Sequence, residues 1–148
     1  MKSALMAFAL AGLGLAALPA TSRAEQLQRF DGYVVHYNAF TADQLAAEVA
    51  AAYKFQRSRR QGLVNITVQR EKGAGEIEPV AATVTGTATN LVGQRTVLVM
   101  REIKEDGAIY YLGEFPVSGT DTLRFSIDVA PADSSKRHTL TFTQNFAD

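Results

Sequence analysis

Two histidines, His36 and His138, are the side chains best suited to acid–base or metal chemistry, because an imidazole exchanges a proton near neutral pH. No second histidine occurs two or four residues from either one, so the sequence has no local metal-ligand motif. The chain also lacks cysteine and a Gly-x-Ser-x-Gly motif, which excludes thiol catalysis, disulfides and a serine-hydrolase elbow. These patterns predict neither a catalytic site nor a cofactor.

Arg57, Arg59 and Arg60 form the densest cluster of basic side chains in the sequence. Planar guanidinium groups bind carboxylates and phosphates through paired hydrogen bonds, so this cluster is a candidate site for an anion or an acidic partner. The alternative is a solvated loop whose cations complement the negative end of a preceding helix.

A second candidate segment consists of His36, Tyr37 and Asn38, which lie near the predicted end of a strand. Side chains at such a position can reach a ligand, although a single histidine without a catalytic partner is more often structural. We predict that this segment and the arginine cluster together form the contact surface of the protein.

The N-terminal residues have the pattern of a secretory signal. Lys2 precedes an apolar run over residues 4–18, which is shorter than the roughly 20 residues that span a bilayer. Ser22-Arg23-Ala24 places small residues where a signal peptidase requires them. We predict cleavage between Ala24 and Glu25, which leaves residues 25–148 as one domain without a membrane span.

The charge balance argues against a polyanion as partner. The whole chain has 15 basic and 15 acidic side chains, and removal of residues 1–24 leaves 13 basic against 15 acidic ones. Nucleic-acid binding depends on an excess of basic residues, so this slight acidity disfavours it.

Alternation of apolar and polar residues predicts β-strands along most of the mature chain. The alternation is strict around Phe125, and the Asp106-Gly107 pair between two apolar runs is typical of a two-residue hairpin. Residues 130–136 have the composition of a turn. The strands predicted in this way are residues 30–37, 63–70, 80–90, 95–104, 108–115, 123–129 and 139–146.

Residues 41–53 break this alternation and predict a short amphipathic helix of about three turns. Thr41 and Gln44 have the spacing of a capping box, in which each residue bonds the backbone of the other. The apolar stripe of the helix consists of Leu45, Val49 and Tyr53. Since residues 97–100 and 109–112 are apolar on both faces of their hairpin, we expect the helix to cover the outer face.

About seven short strands with regular turn signals predict an all-β fold, an antiparallel immunoglobulin-like β-sandwich with one short helix. A small closed barrel is the competing architecture, because it has a similar strand pattern.

Four segments resemble the domain-of-unknown-function family 4426: YVVHYNA (residues 33–39), LVNITV (63–68), GTATNL (86–91) and AIYYLGEFPVS (108–118). That family consists of small exported proteins of Gram-negative bacteria with no established activity. The resemblance therefore implies a periplasmic location and supplies no catalytic residue.

We expect an exported binding or protein-interaction module without catalytic activity, whose partner is an envelope protein or a small ligand. One alternative is an envelope enzyme that uses His36 as acid or base, which requires a pocket shared with a carboxylate. Another is a small-ligand carrier, which requires an apolar cavity between the sheets.

Overall fold

The computed structural model describes residues 26–147, in which β-strands predominate. The predicted signal and the predicted cleavage between Ala24 and Glu25 lie outside the described residues. The strands are β1 (Gln26–Phe30), β2 (Tyr33–Thr41), β3 (Gln61–Gly73), β4 (Glu76–Pro79), β5 (Ala82–Asn90), β6 (Arg95–Leu98), β7 (Met100–Glu105), β8 (Ala108–Pro116), β9 (Asp121–Pro131) and β10 (His138–Phe146). The helical segments are a 3₁₀-helix (Ala42–Gln44) and α1 (Ala47–Tyr53).

The strands form two stacked sheets. Sheet A has the order β1-β2-β3-β8-β7, with β4 also paired to β3, and sheet B has the order β10-β9-β5-β6. Neighbouring strands within both sheets run antiparallel. The predicted antiparallel sandwich with one short α-helix is therefore confirmed, and the described residues form no closed barrel.

Residues 26–147 form ten strands rather than about seven, partly because two tight turns connect β2 and β3 to the short strands β1 and β4, which were not predicted as separate strands. Asp31 and Gly32 have φ values of 45° and 85°, so they form a two-residue turn between β1 and β2. Gly73, Ala74 and Gly75 also have positive φ, and they turn the chain from β3 into β4. The first turn lies where a continuous strand was expected, and the second lies where a loop was expected. At each turn the chain reverses direction, and the two strands that flank the turn pair with each other.

The strand predicted over residues 95–104 is two strands that belong to different sheets. β6 pairs with β5 in sheet B, whereas β7 pairs with β8 in sheet A, and Val99 joins them. At this crossing Leu98 is buried in the core, while Val97 and Val99 are exposed. The crossing explains why this segment lacks a consistent apolar face.

The core between the sheets is filled by aromatic and aliphatic side chains. Phe125 is fully buried, stacks on Phe142 at 4.8 Å between ring centroids and meets Phe115 edge-on at 5.0 Å. Gly62 lies against the Phe115 ring, because a Cβ added there would approach the ring within 2.1 Å. The predicted alternation of β9 and β10 is confirmed by this core.

The helix is shorter than predicted. Thr41 precedes the separate 3₁₀-helix and makes no capping bond to its backbone; the Gln44 side chain instead donates to Thr41 Oγ1 at 3.1 Å. Ala46 is extended, so α1 begins only at Ala47. The capping-box interpretation and the three-turn length are therefore wrong. Val49, which was assigned to the buried stripe, is 39% exposed, and the adjacent Ala50 is buried instead.

The prediction that this helix covers the β7–β8 hairpin is confirmed. Ala50 and Tyr53 pack in a second apolar cluster that includes Ile103 of β7 and Leu112 of β8. The Tyr53 hydroxyl donates to Glu105 Oε2 at 2.6 Å, and the Arg101 guanidinium donates to the Tyr53 carbonyl. The outer face of sheet A is thus covered at this end.

Polar contacts join the two sheets at their margins. The Tyr111 hydroxyl of sheet A accepts a hydrogen bond from the Ala82 amide of sheet B at 2.8 Å and donates to Glu102 at 2.8 Å. Burial raises the pKa of Tyr111 to about 12, so its hydroxyl keeps its proton at neutral pH. The phenol therefore serves as both acceptor and donor in this bridge.

A second bridge centres on Arg70 of β3. Its guanidinium donates to Asp133 Oδ2 at 2.8 Å, in the loop between β9 and β10, and also pairs with Glu78 of β4. Tyr33 donates to the other oxygen of Asp133 at 2.6 Å. The hydrogen bond from Arg70 lowers the pKa of the Glu78 carboxyl below its ordinary value.

The face assignment of β9 predicts opposite outcomes for adjacent residues. Phe125→Ala should lower the free energy of unfolding by about 3–5 kcal/mol, because it leaves a cavity between the sheets. Phe125→Asp should prevent folding, since it buries a charge. Arg124 is an exposed neighbour of Phe125, so Arg124→Ala should change the free energy of unfolding by less than about 0.5 kcal/mol. Urea unfolding followed by circular dichroism measures these values, and equal losses for both alanine variants would contradict the assignment.

The Arg70–Glu78 pair predicts a dependence of stability on pH. Because folding lowers the pKa of Glu78, its contribution is present above its unfolded pKa of 4.5 and is lost as pH falls through the folded value. Glu78→Gln should therefore unfold at a lower temperature than wild type at pH 7, and the difference should shrink steadily as the pH is lowered through the folded pKa of Glu78. Glu76→Gln, at an exposed neighbour, is the control. A difference that persists in acid would contradict the ion-pair explanation.

Candidate functional site

His36 and Asn38 lie on the outer face of sheet A, whereas Tyr37 between them points into the core. The Tyr37 ring contacts Phe142 at 4.6 Å between centroids, so its ring is part of the packing between the sheets. His36 Nε2 lies 2.9 Å from Gln69 Oε1 on the neighbouring strand β3. Of the three predicted contact residues in this segment, His36 and Asn38 therefore present their side chains on the outer face.

The predicted arginines lie in a different place. Arg57 donates to the Asp43 carbonyl at 2.9 Å, and Arg59 and Arg60 border a depression of about 460 Å³ beside Ser118. This depression contains no residue of the His36 segment.

The register of sheet A gives the separation between the two predicted segments. His36 is paired with Thr67, six residues along β3 from Gln61, which follows Arg60 directly. At about 3.3 Å per residue this corresponds to roughly 20 Å. The structure thus does not join the two segments into one concave surface, and the binding role of each stays a prediction.

A depression of about 800 Å³ opens beside residues 38–41 of β2. Among residues 26–147, its lining contains six carboxamide side chains and no charged one. We call it the amide groove, after these residues: Gln26, Asn38, Gln44, Asn65, Gln144 and Asn145.

Four separate elements bring most of these carboxamides together. Asn38 and Asn65 are direct register partners on β2 and β3, and both therefore lie on the same face of sheet A. Gln44 comes from the 3₁₀-helix, and Gln144 and Asn145 come from the end of β10. A smaller depression of about 330 Å³, which contains His36 and Gln69, shares Asn38 and Asn65 with the groove.

Asn65 differs from the other carboxamides in its hydrogen bonding. Gln44 donates to Thr41, and Asn145 donates to Thr122 Oγ1 at 2.7 Å, so both are held by the protein. The Asn65 Oδ1 atom is buried and has no hydrogen-bond partner among residues 26–147. An unsatisfied buried carbonyl oxygen is costly, and residues that bear such a cost often have a function.

Carboxylates are missing from the depressions beside His36. As far as residues 26–147 are concerned, the linings of the amide groove and of the smaller depression contain no Asp or Glu side chain. Nor does any group of three or more His, Asp or Glu side chains suited to a metal occur in the part of the chain that the structure describes. Hydrogen bonding by uncharged carboxamides is therefore the chemistry that the described lining of the amide groove offers.

Residues 27–148 match the family model of DUF4426, a domain of unknown function. The chain belongs to this family. It is similar to a DUF4426 protein of Pseudomonas aeruginosa PAO1 whose crystal structure is known, with 41% identity and a TM-score of 0.72. The match covers 84% of this chain and 96% of that one.

The DUF4426 fold also resembles FetP of uropathogenic Escherichia coli strain F11, at 9% identity and a TM-score of 0.57. That match covers 82% of this chain and 93% of FetP, a protein that was recombinantly expressed in the periplasm. A copper-bound variant of FetP with one substitution matches with the same identity and TM-score, over 83% of this chain and 90% of that one. At this identity the likeness concerns the fold alone. No curated protein matches the chain.

The amide groove contains one residue of the predicted surface, Asn38. Asn65 lies in the strand predicted over residues 63–70, but its pairing with Asn38 depends on the β2–β3 register. Gln44 was assigned to a capping box, and Gln144 and Asn145 to a terminal hairpin. The signal available in the sequence was that all these residues are carboxamides. Their positions are far apart in the sequence, so the groove cannot be recognised without the strand register.

The unpartnered oxygen of Asn65 predicts that this residue does not stabilise the fold. Asn65→Leu removes a buried polar group beside the apolar Leu112, so it should leave the free energy of unfolding unchanged or raise it by about 1 kcal/mol. Asn145→Leu, which removes a formed hydrogen bond, should lower it by about 0.5–1.5 kcal/mol. Urea unfolding of both variants measures the two changes. A clear loss of stability in Asn65→Leu would show that the carboxamide is structural.

Proposed function

We propose that this DUF4426 protein is a periplasmic binding module without catalytic activity, which holds an uncharged polar ligand in the amide groove. The observation that carries the proposal is the lining of this groove. A carboxamide both donates and accepts hydrogen bonds, so it suits a ligand that does the same. Because no charged side chain among residues 26–147 lines the groove, an ionic ligand would find no opposite charge there to compensate for its lost hydration.

Export is supported by the signal-like residues 1–24 and by the fold. Lys2, the short apolar run and Ser22-Arg23-Ala24 are typical of a cleaved leader. FetP, which shares the fold, was expressed in the periplasm. No helix within residues 26–147 is long and apolar enough to cross a membrane. The ligand is therefore sought among envelope components, as a protein segment or a small molecule.

The proposal does not include copper binding, although a FetP variant binds copper. His36 and His138 contact different glutamines, Gln69 on β3 and Gln28 on β1, at 2.9 and 3.0 Å. Leu27, which pairs with His36, and its neighbour Gln28 point to opposite faces of sheet A. His36 and the glutamine that contacts His138 therefore lie on opposite faces of sheet A, so the two imidazoles do not face a common site.

The test compares a groove variant with a matched variant on the opposite sheet. Asn38→Ala/Asn65→Leu changes the groove, whereas Thr141→Ala/Thr143→Ala changes exposed threonines on β10. Both proteins and wild type are titrated with peptide and oligosaccharide fractions of an envelope extract, and binding is followed by native mass spectrometry. We expect at least about tenfold weaker binding in the groove variant alone, because it loses two carboxamide contacts.

Two outcomes would contradict the proposal: equal binding by wild type and the groove variant, or an equal loss in both variants. A third variant, in which Arg57, Arg59 and Arg60 are replaced by alanine, examines the predicted anionic contact separately. Weaker binding in this variant would extend the contact surface to the arginine depression, and unchanged binding would restrict it to the amide groove.

A further inference from the structure

We infer that the ligand of the amide groove is an uncharged, N-acetylated oligosaccharide, and that one of its sugar rings occupies the smaller depression beside His36. This inference rests on the proposed function and specifies its ligand. We call the smaller depression the β4–β8 cleft, because two residues of β4 and three of β8 line it: Ile77, Pro79, Ala108, Ile109 and Tyr110. Its volume of about 330 Å³ lies within the usual range of small-ligand pockets, roughly 300–1,000 Å³.

The β4–β8 cleft forms where β3 changes its neighbour in sheet A. β8 pairs with residues 61–66 of β3, and β4 pairs with residues 69–73. Thr67 and Val68 lie between these two pairings, and both line the cleft. The chain then continues from β4 toward sheet B, and the Val80 amide donates to the Val68 carbonyl at 2.9 Å. Both walls of the cleft are therefore anchored to β3 by strand pairing.

Apolar side chains form the two walls. Pro79 pairs with Gln69, and Ile77 lies two residues from Pro79, so both are on the outer face of sheet A. Ile77 is 50% exposed, which leaves its side chain accessible to a ligand. On the opposite wall, Tyr110 packs against the apolar cluster beneath α1, and this contact holds its ring in place. These walls suit the C–H faces of a sugar ring.

The floor of the β4–β8 cleft contains hydrogen-bonding groups that the described protein does not use. Thr67 pairs directly with His36 of β2. The next outward pair along these strands is Asn65 with Asn38. Within residues 26–147, the Thr67 and Tyr110 hydroxyls and the Asn38 carboxamide form no hydrogen bond. A ligand with hydroxyl and amide groups would satisfy these donors and acceptors.

An acetamido substituent matches this lining. It has one N–H and one C=O group beside a methyl group, and a carboxamide such as Asn38 can pair with both polar groups. The methyl group would contact the apolar wall at Ile77. Within residues 26–147, no Asp, Glu, Lys or Arg side chain lines the cleft, so a free amino sugar would lose water from its ammonium group without a carboxylate partner.

The β4–β8 cleft and the amide groove form one path along β2. Both contain Asn38 and Asn65, and the path extends from His36 to Thr41. At about 3.3 Å per residue, this distance is roughly 16 Å. Linked sugar rings therefore match the length of the site better than a single ring does.

The test titrates the mature protein, isolated from the periplasm, with the tetramer of N-acetylglucosamine and follows the backbone amides by NMR. The cleft variant, Thr67→Val/Ile77→Ser, removes one hydroxyl and one apolar side chain from residues that line the cleft and not the amide groove. The control variant, Thr141→Val/Val97→Ser, makes matching changes at exposed positions of sheet B. Circular dichroism checks that both variants fold.

In wild type, the tetramer should shift the amide resonances of Thr67, Ile77 and Tyr110. The cleft variant should bind it at least about tenfold more weakly than wild type, whereas the control variant should bind it within about twofold. The tetramer of glucosamine has the same rings but carries ammonium groups in mildly acidic buffer, so wild type should bind it at least about tenfold more weakly. The resonance shifts and the comparison of the two sugars require wild type alone, so they test the inference even where the cleft variant is unstable.

Three results would overturn the inference. The first is equal binding of the acetylated tetramer by wild type and the cleft variant, and the second is an equal loss in the cleft and control variants. The third is equal binding of the two tetramers by wild type.

Failure of this inference is distinguishable from failure of the proposed function. Weaker binding of the acetylated tetramer in Asn38→Ala/Asn65→Leu, without a change in the cleft variant, would overturn the role of the cleft and preserve the binding module. No binding of the tetramer, together with groove-dependent binding of an envelope fraction, would overturn the sugar assignment and also preserve the module. No binding of either would overturn the inference and count against the proposed function.

Discussion

Packing of Phe125 between the two sheets is the interaction on which the remaining structure depends. Its ring lies 4.8 Å from Phe142 within sheet B and 5.0 Å from Phe115 of sheet A, so it contacts both layers. Gly62 allows Phe115 to approach β3 closely enough for this contact. Since the side chains of a strand alternate between its two faces, the residues that enter this core decide which residues are left outside.

The amide groove is a consequence of that constraint. Val35 and Tyr37 of β2 and Val64 and Ile66 of β3 enter the core, and the outer face therefore receives Asn38 and its register partner Asn65. The helix covers the apolar part of the same face near Leu112 but leaves the carboxamides beside it open. A stable sandwich and a polar, uncharged recess thus arise from the same pattern of alternation.

The comparison with FetP shows how one scaffold accommodates different surfaces. The two proteins share a fold at 9% identity, and a variant of FetP binds copper. In the described part of the DUF4426 chain, the corresponding sandwich has no cluster of three or more metal-ligating side chains and instead has a carboxamide-lined groove. A shared fold at this identity therefore does not by itself transfer copper binding to this chain.

The amino-acid sequence by itself determined the features that depend on neighbouring residues. Alternation around Phe125 predicted the β9–β10 hairpin, and Asp106-Gly107 predicted the turn between β7 and β8, because strand faces and tight turns are local properties. The Asp31-Gly32 turn carried the same signal and was missed.

Only the tertiary structure decided features that depend on pairing between distant segments. It placed the chain on either side of Val99 in different sheets, separated His36 from the arginine cluster, and brought Asn38 next to Asn65. The physical reason is that register and strand order are selected by the packing of both sheets together, and no single segment contains that information.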